Sequence, residues 1–192
     1  MLVAPAAPLP VRRTLPGGLS PSGSLALVAV VLVLVVVSLP RLRGIAVQEN
    51  EADARDTAAL LARALERFEG ASELPPVAEV LARSEHPAGL ADAELLEEGR
   101  LLRRHGYLFE VVRLPIEWQV AGAALTLGPC AAAGSPLAVR AWPWCQGSTG
   151  ATAFLFTGGG GRFAHANRPA RWSGPDQPSA ALEPCSGWRP IP

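Results

Sequence analysis

The sequence predicts an α+β protein: an N-terminal transmembrane helix, an amphipathic helix packed on a small antiparallel β-sheet, and a proline-rich C-terminal tail. Three observations carry this. The stretch Gly23 to Leu39, GSLALVAVVLVLVVVSL, holds no charged residue. From Val47 to Phe68 the apolar positions fall at helical spacing. Beyond Gly106, aromatic and β-branched residues alternate in short runs closed by proline or glycine. The implied division is a disordered tail (1–22), a transmembrane helix (23–40), a soluble α+β domain (45–166) and a wrapping tail (167–192).

Residues Met1 to Ser22 contain five prolines and no apolar periodicity, which predicts a tail without regular structure. The next segment has 17 residues, and at roughly 1.5 Å rise per residue it makes about 25 Å of helix, near the thickness of a hydrocarbon core. Seven valines between Leu25 and Val37 would favour strand in water. In lipid an isolated strand leaves its backbone groups unpaired at several kcal/mol each, so helix wins. A cleavable signal peptide is the alternative, with Arg12 and Arg13 before a short apolar core. Ser38-Leu39-Pro40-Arg41 lacks the small-x-small pattern that cleavage needs. Arg41 and Arg43, bracketed by Pro40 and Gly44, are placed at the membrane interface, with a kink or helix end at Pro40. Arginines on both flanks nearly balance, with a slight lean to an N-terminus inside.

Ala54, Ala58, Leu61, Leu65 and Phe68 continue Val47 along one helical face and form a packing seam. Asn50 is placed as the cap of that helix, Glu51 at the spacing to pair with Arg55, and Gly70 as its end. Val77 to Arg83 reads as a short helix with Pro76 in its first turn. Ala93 to Glu98 reads as another, capped by Asp92 and stopped by Gly99. His86 falls in a loop. Gly106 to Arg113 reads as the first strand, with Tyr107, Phe109 and Val111 on one face. Trp118 to Leu127 and Leu137 to Trp142 follow as strands. Thr152–Thr157 and Arg162–Ala166 flank four glycines, Gly158 to Gly161, as a hairpin. After Asn167 six prolines forbid helix or central strand, and Trp172 and Trp188 supply apolar side chains to cover the sheet.

Little in this chain reads as chemistry. Seventeen basic and seventeen acidic residues cancel, so there is no charge excess of the kind nucleic-acid binding requires. Lysine is absent, which removes a phosphate-loop reading of the glycine run. Cys130, Cys145, His165 and Cys185 have a metal-ligand count but no closely spaced pair to preorganise a site. A Cys130–Cys145 disulfide clipping the loop between two strands, and free buried cysteines, both remain open. No Gly-x-Ser-x-Gly elbow is present, and no enzyme, cofactor or metal is expected.

The order of apolar helix, amphipathic helix and small sheet resembles type IV pilins and type II secretion pseudopilins. The stretches that carry the resemblance are Gln48-Glu49-Asn50-Glu51-Ala52 through Leu65-Glu66-Arg67-Phe68, Gly106-Tyr107-Leu108-Phe109-Glu110, Ala141-Trp142-Pro143 with Gly150-Ala151-Thr152-Ala153-Phe154, and Gly160-Gly161-Arg162-Phe163. A pilin precursor carries a glycine at its cleavage point and a glutamate five places on; here the fifth residue after Gly18 is Gly23 and after Gly23 is Val28. The resemblance implies a bacterial single-pass inner-membrane protein with a periplasmic domain and a structural or assembly role in secretion or pilus machinery. Membrane lipid, other pilin-like subunits or secretion-machinery proteins are the implied partners. Without it, the chain reads as a membrane-anchored extracytoplasmic binding module.

Overall fold

A computed structural model describes residues 21–68, 70–71, 73–85, 87–114, 137–168, 171–176 and 187–192. The N-terminal tail up to residue 20, His86, the Trp118–Leu127 strand, Cys130 and Cys185 lie outside the described residues. The chain divides into two units, Met1–Arg41 and Leu42–Pro192.

Helix α1 spans Pro21–Leu65, with Pro40 inside it, and is followed by a tight turn of 3-10 helix, Glu66–Phe68. Gly70 then takes a left-handed φ of 84°, the conformation that commonly ends a helix. Pro40, where a kink or helix end is expected, lies inside the helix. Proline there removes one N–H, and the Val36 carbonyl loses its ordinary helical donor. Helix α2 spans Val77–Ala82, entered through Pro76 in extended conformation.

Among the described residues of the second unit, seven strands form one antiparallel sheet in chain order. They are β1 (Glu94–Leu96), β2 (Leu101–Arg104), β3 (Tyr107–Arg113), β4 (Leu137–Pro143), β5 (Ala153–Thr157), β6 (Arg162–His165) and β7 (Arg189–Pro190). The long central pair runs from Tyr107 opposite Pro143 to Arg113 opposite Leu137. The expected hairpin across the four glycines is β5–β6, with Phe156 opposite Arg162.

The Ala93–Glu98 helix is corrected. Glu94–Leu96 is the edge strand β1, paired with Leu101–Arg103, and the turn between them is closed by a short 3-10 segment, Glu97–Gly99. Glu97 and Glu98 hold left-handed φ values of 49° and 57°, and Gly99 follows at 86°. Pairing two strands therefore outweighs the local helix preference of an Asp-capped, Glu-rich segment. Strand β2 was not anticipated. It turns into β3 over His105 and Gly106, both at positive φ (41° and 75°), as a two-residue hairpin loop of the primed type requires.

The period-two pattern of β3 sorts the two faces of the sheet. Tyr107, Phe109 and Val111 join Leu102, Val139, Ala141, Phe154 and Phe156 in a core against Ala54, Ala58, Leu61, Leu65 and Phe68 of α1 and its final turn. All five seam positions are buried. The alanines let the helix approach the sheet closely, while Leu61, Leu65 and Phe68 each contribute about 1.5–3 kcal/mol of apolar burial. The other face is also buried. Leu101, Leu108, Trp142 and Ala153 pack against Trp172, and Val112, Ala138, Leu155 and Phe163 pack with Leu114. Trp188 is half-buried against both groups.

Candidate functional site

Three features of the chain carry chemistry beyond ordinary core packing: the apolar half of α1, the polar end of its seam, and a set of buried polar side chains. In the first unit, eight consecutive residues, Val30 to Val37, are each 47–65% exposed. Eight residues complete more than two helical turns, so the apolar surface encircles the helix rather than forming a stripe. In water each such side chain forgoes about 1.5–3 kcal/mol of burial. Among the described residues this is one helix long and apolar enough to cross a membrane. Arg41 closes the first unit, Arg43 is the second residue of the second, and both side chains are exposed.

The polar end of the seam is built on Asn50 to Thr57. Asn50 is not a helix cap, because the helix is already formed before it; its Nδ2 donates to the Thr149 carbonyl at 3.0 Å, 99 residues away. The Glu51 carboxylate accepts the backbone N–H groups of Ala151 and Thr152 at 3.0 and 3.1 Å. Two adjacent residues of α1 therefore hold the loop between β4 and β5. Gly150 in that loop has no space for a side chain, since an added Cβ would stand 2.1 Å from the Tyr107 hydroxyl. That hydroxyl donates to the Thr152 carbonyl at 2.9 Å, and burial pushes its pKa well above the usual phenol value.

Asp53 and Thr57 hold the β2–β3 turn from the same helix. Arg104 reaches Thr57 Oγ1 at 2.7 Å, Asp53 Oδ1 at 3.3 Å and Asp92 Oδ1 at 2.9 Å. His105 lies between the same two carboxylates, Nδ1 at 2.8 Å from Asp53 and Nε2 at 2.6 Å from Asp92. The Arg104 hydrogen bond holds the Asp92 carboxyl below its ordinary range against an opposing effect of burial, and the charges of Arg104 and His105 add smaller effects in the lowering direction.

No family model, curated protein or solved structure matches this chain.

On the outer sheet face, Glu110 and Arg140 stand directly opposite on β3 and β4. Arg140 Nη2 donates to Glu110 Oε2 at 2.6 Å, and Arg100 Nη1 approaches Oε1 at 3.2 Å. The Arg140 side chain is 0% exposed and its guanidinium lies over the Trp142 ring, 4.5 Å from the centroid. Its Nε and Nη1 have no hydrogen-bond partner among the described residues. Burial pulls the Arg140 pKa down, opposed by the Glu110 charge.

A second buried polar set ties the C-terminal tail to the sheet. Asn167, 0% exposed and at φ 51°, donates to Gln146 Oε1 at 2.7 Å and to the Trp172 carbonyl at 2.8 Å, and accepts the Trp172 N–H at 2.9 Å. His165 Nδ1 accepts the Asn167 N–H at 2.8 Å, and its ring meets Trp172 edge-on at 4.8 Å. Burial, with a smaller contribution from the Arg171 charge, lowers the His165 pKa. The folded chain thus disfavours protonated His165, and the unfolded chain takes up that proton near the usual imidazole value of about 6.5. Stability should fall as the pH drops through that value. Thermal melts of His165→Phe between pH 7.5 and 5.5 check this, the variant losing less than the wild type over that interval.

Cys145 is an exposed thiol opening the β4–β5 loop; its suggested partner Cys130 is outside the described residues. Among the described residues no group of three or more His, Cys, Asp or Glu side chains is placed to hold a metal ion.

Proposed function

We propose that this chain is a single-pass, membrane-anchored protein of pilin-like or pseudopilin-like type, with a structural or assembly role. The observation that carries the reading is the division of labour along α1. Its first half presents apolar side chains all round, and its second half buries an alanine- and leucine-lined seam against an antiparallel sheet. A helix exposed on every face at Val30 to Val37 calls for lipid or other apolar helices around it. Helices of this kind are what an inner-membrane anchor provides, with Arg41 and Arg43 at headgroup level. The sheet would then stand on the extracytoplasmic side. Lipid is the first partner, and other pilin-like subunits or secretion-machinery proteins are the second. The departure from the pilin pattern is the apolar segment itself, which carries no carboxylate to register one subunit against the next.

Membrane fractionation followed by mass determination of the mature protein tests the two parts separately. Extraction from membranes only with detergent is the expected result for an anchor, and release by alkaline carbonate would overturn it. A mature mass lacking residues 1–18 or 1–23 supports prepilin-type processing. The full-length mass would leave the anchor standing and remove the pilin-type assembly route.

A further inference from the structure

We propose that copies of this chain register against one another through the second unit, the acidic outer stripe of α1 in one copy meeting a basic flank at the β6–β7 end of the sheet in the next. This rests on the pilin-like reading for one point, that neighbouring copies stand parallel. The apolar segment carries no carboxylate to set register, whereas the charges beyond it are unevenly divided. Thirteen of the seventeen acidic residues lie between Glu49 and Glu98, against four arginines there; from Arg100 onward there are nine arginines and four acidic residues. At the β1–β2 end of the sheet, Arg100, Arg103 and Arg104 are each paired, with Glu97, Glu94 and Asp92. At the β6–β7 end, Arg162 and Arg189 are exposed, and among the described residues neither has an acidic partner within ion-pair distance. Arg162 stands opposite Phe156, and Arg189 opposite Ala164, itself opposite Phe154. Both phenylalanines belong to the core under α1, so both arginines lie on the α1 side of the sheet, diagonal to each other at about 7–8 Å. Ile191 N–H donates to the Arg162 carbonyl at 3.0 Å, so the preceding Pro190 turns its backbone outward, where it has no N–H to offer a further strand. A neighbour therefore meets this end through side chains rather than by extending the sheet.

The complementary surface is on α1. Glu49 and Asp56 are exposed and seven positions apart, nearly two turns, which puts them on one face with the exposed Ala52 between them. Among the described residues neither has a basic partner within ion-pair distance. The order of the charges also fits. Arg55 lies over Phe154, and Gly158 lies beside Ala62 and Glu66, so α1 and β5 run in the same direction. Arg189 is level with Phe154, and Arg162 is level with Phe156 further along; Glu49 likewise precedes Asp56. In parallel copies Glu49 meets Arg189 while Asp56 meets Arg162, with the second copy displaced by about 5–9 Å along the axis. Stripe and flank are different surfaces of one molecule, so the contact is head to tail and leaves both ends of a pair open to further copies.

Sedimentation of the full chain in detergent micelles tests this, with Arg162→Glu/Arg189→Glu and Glu49→Arg/Asp56→Arg as variants. The wild type is expected to self-associate. Each variant alone brings like charges together and should associate about tenfold more weakly. An equimolar mixture of the two should regain wild-type association, because the native stripe of one variant meets the native flank of the other and the two reversed surfaces also match. A monomeric wild type, variants that associate as the wild type does, or a mixture no stronger than its components would overturn the proposal. Wild-type association should also weaken severalfold between about 50 and about 500 mM salt, a readout that needs no variant; indifference to salt overturns the proposal equally. Release of the protein by alkaline carbonate would remove the anchor reading, and with it the parallel arrangement, while a head-to-tail contact restored in the mixture would still stand.

Discussion

Replacing Arg140 by Met is expected to destabilise the sheet domain by about 3–5 kcal/mol, the usual consequence of removing one member of a buried ion pair. In a domain of about 150 residues each kcal/mol moves the melting temperature by about 2–4 °C, so a fall of about 6–20 °C follows. The cause is not the loss of the pair's attraction. Glu110 is 3% exposed on the outer sheet face, and Arg140→Met leaves its carboxylate in that low-dielectric place without the donor at 2.6 Å. Arg100 approaches the other carboxylate oxygen at 3.2 Å, but its side chain is half exposed and screened by water. The double variant Arg140→Met/Glu110→Leu should recover most of the loss. Arg140 is itself poorly satisfied, with Nε and Nη1 buried and without partners among the described residues, so removing both charges also removes that desolvation cost. Urea unfolding of both single variants and the double variant measures the coupling directly. Additive losses would contradict a buried pair whose members depend on one another.

What could be read from the chain and what could not divides along physical lines. The apolar belt of α1 is an uncharged run of membrane length and the seam at Ala54, Ala58, Leu61, Leu65 and Phe68 repeats at helical period, and both signals survive without knowledge of the neighbours. Strand β3 and the β5–β6 hairpin were legible for the same reason, through alternation and a glycine-rich turn. Strand β1 was not. Asp92, Glu94, Glu97 and Glu98 satisfy every local rule for a capped helix, yet the segment gains more by pairing with β2, and the turn that permits it places two glutamates at positive φ. Glutamate carries no sequence signal for that conformation. Asn50 and Glu51 illustrate a related limit. Local chemistry makes them helix-start residues, but their partners lie about a hundred residues away in the β4–β5 loop. Glu110 is the same case in a strand: a charge alternating with Phe109 and Val111 implies a wet face, and only the cross-strand register with Arg140 reveals a dry one.

Two arginines placed in the middle of the apolar segment, Leu32→Arg with Val35→Arg, are expected to abolish membrane insertion under the proposed anchor reading. On the insertion scale each Leu or Val near the centre of a span contributes about 0.3–0.6 kcal/mol, and the twelve such residues from Leu25 to Leu39 together supply about 4–7 kcal/mol. Each central arginine opposes insertion by about 2.5–3.5 kcal/mol and also removes the residue it replaces. One substitution therefore weakens an insertion that still proceeds, whereas two bring the sum to zero or beyond. The sequence provides no rescue, because no acidic residue lies between Thr14 and Pro40 to pair with either arginine inside the span. Arg41 and Arg43 make a different control. Changing both to Gln leaves the apolar sum intact and leaves Arg12 and Arg13 as the larger flanking charge, so the protein should stay in the membrane fraction with its N-terminus inside. Protease protection in vesicles reads that orientation. Retention of the double-arginine variant in carbonate-washed membranes, at wild-type level, would mean that the Val30 to Val37 belt is covered by something other than lipid.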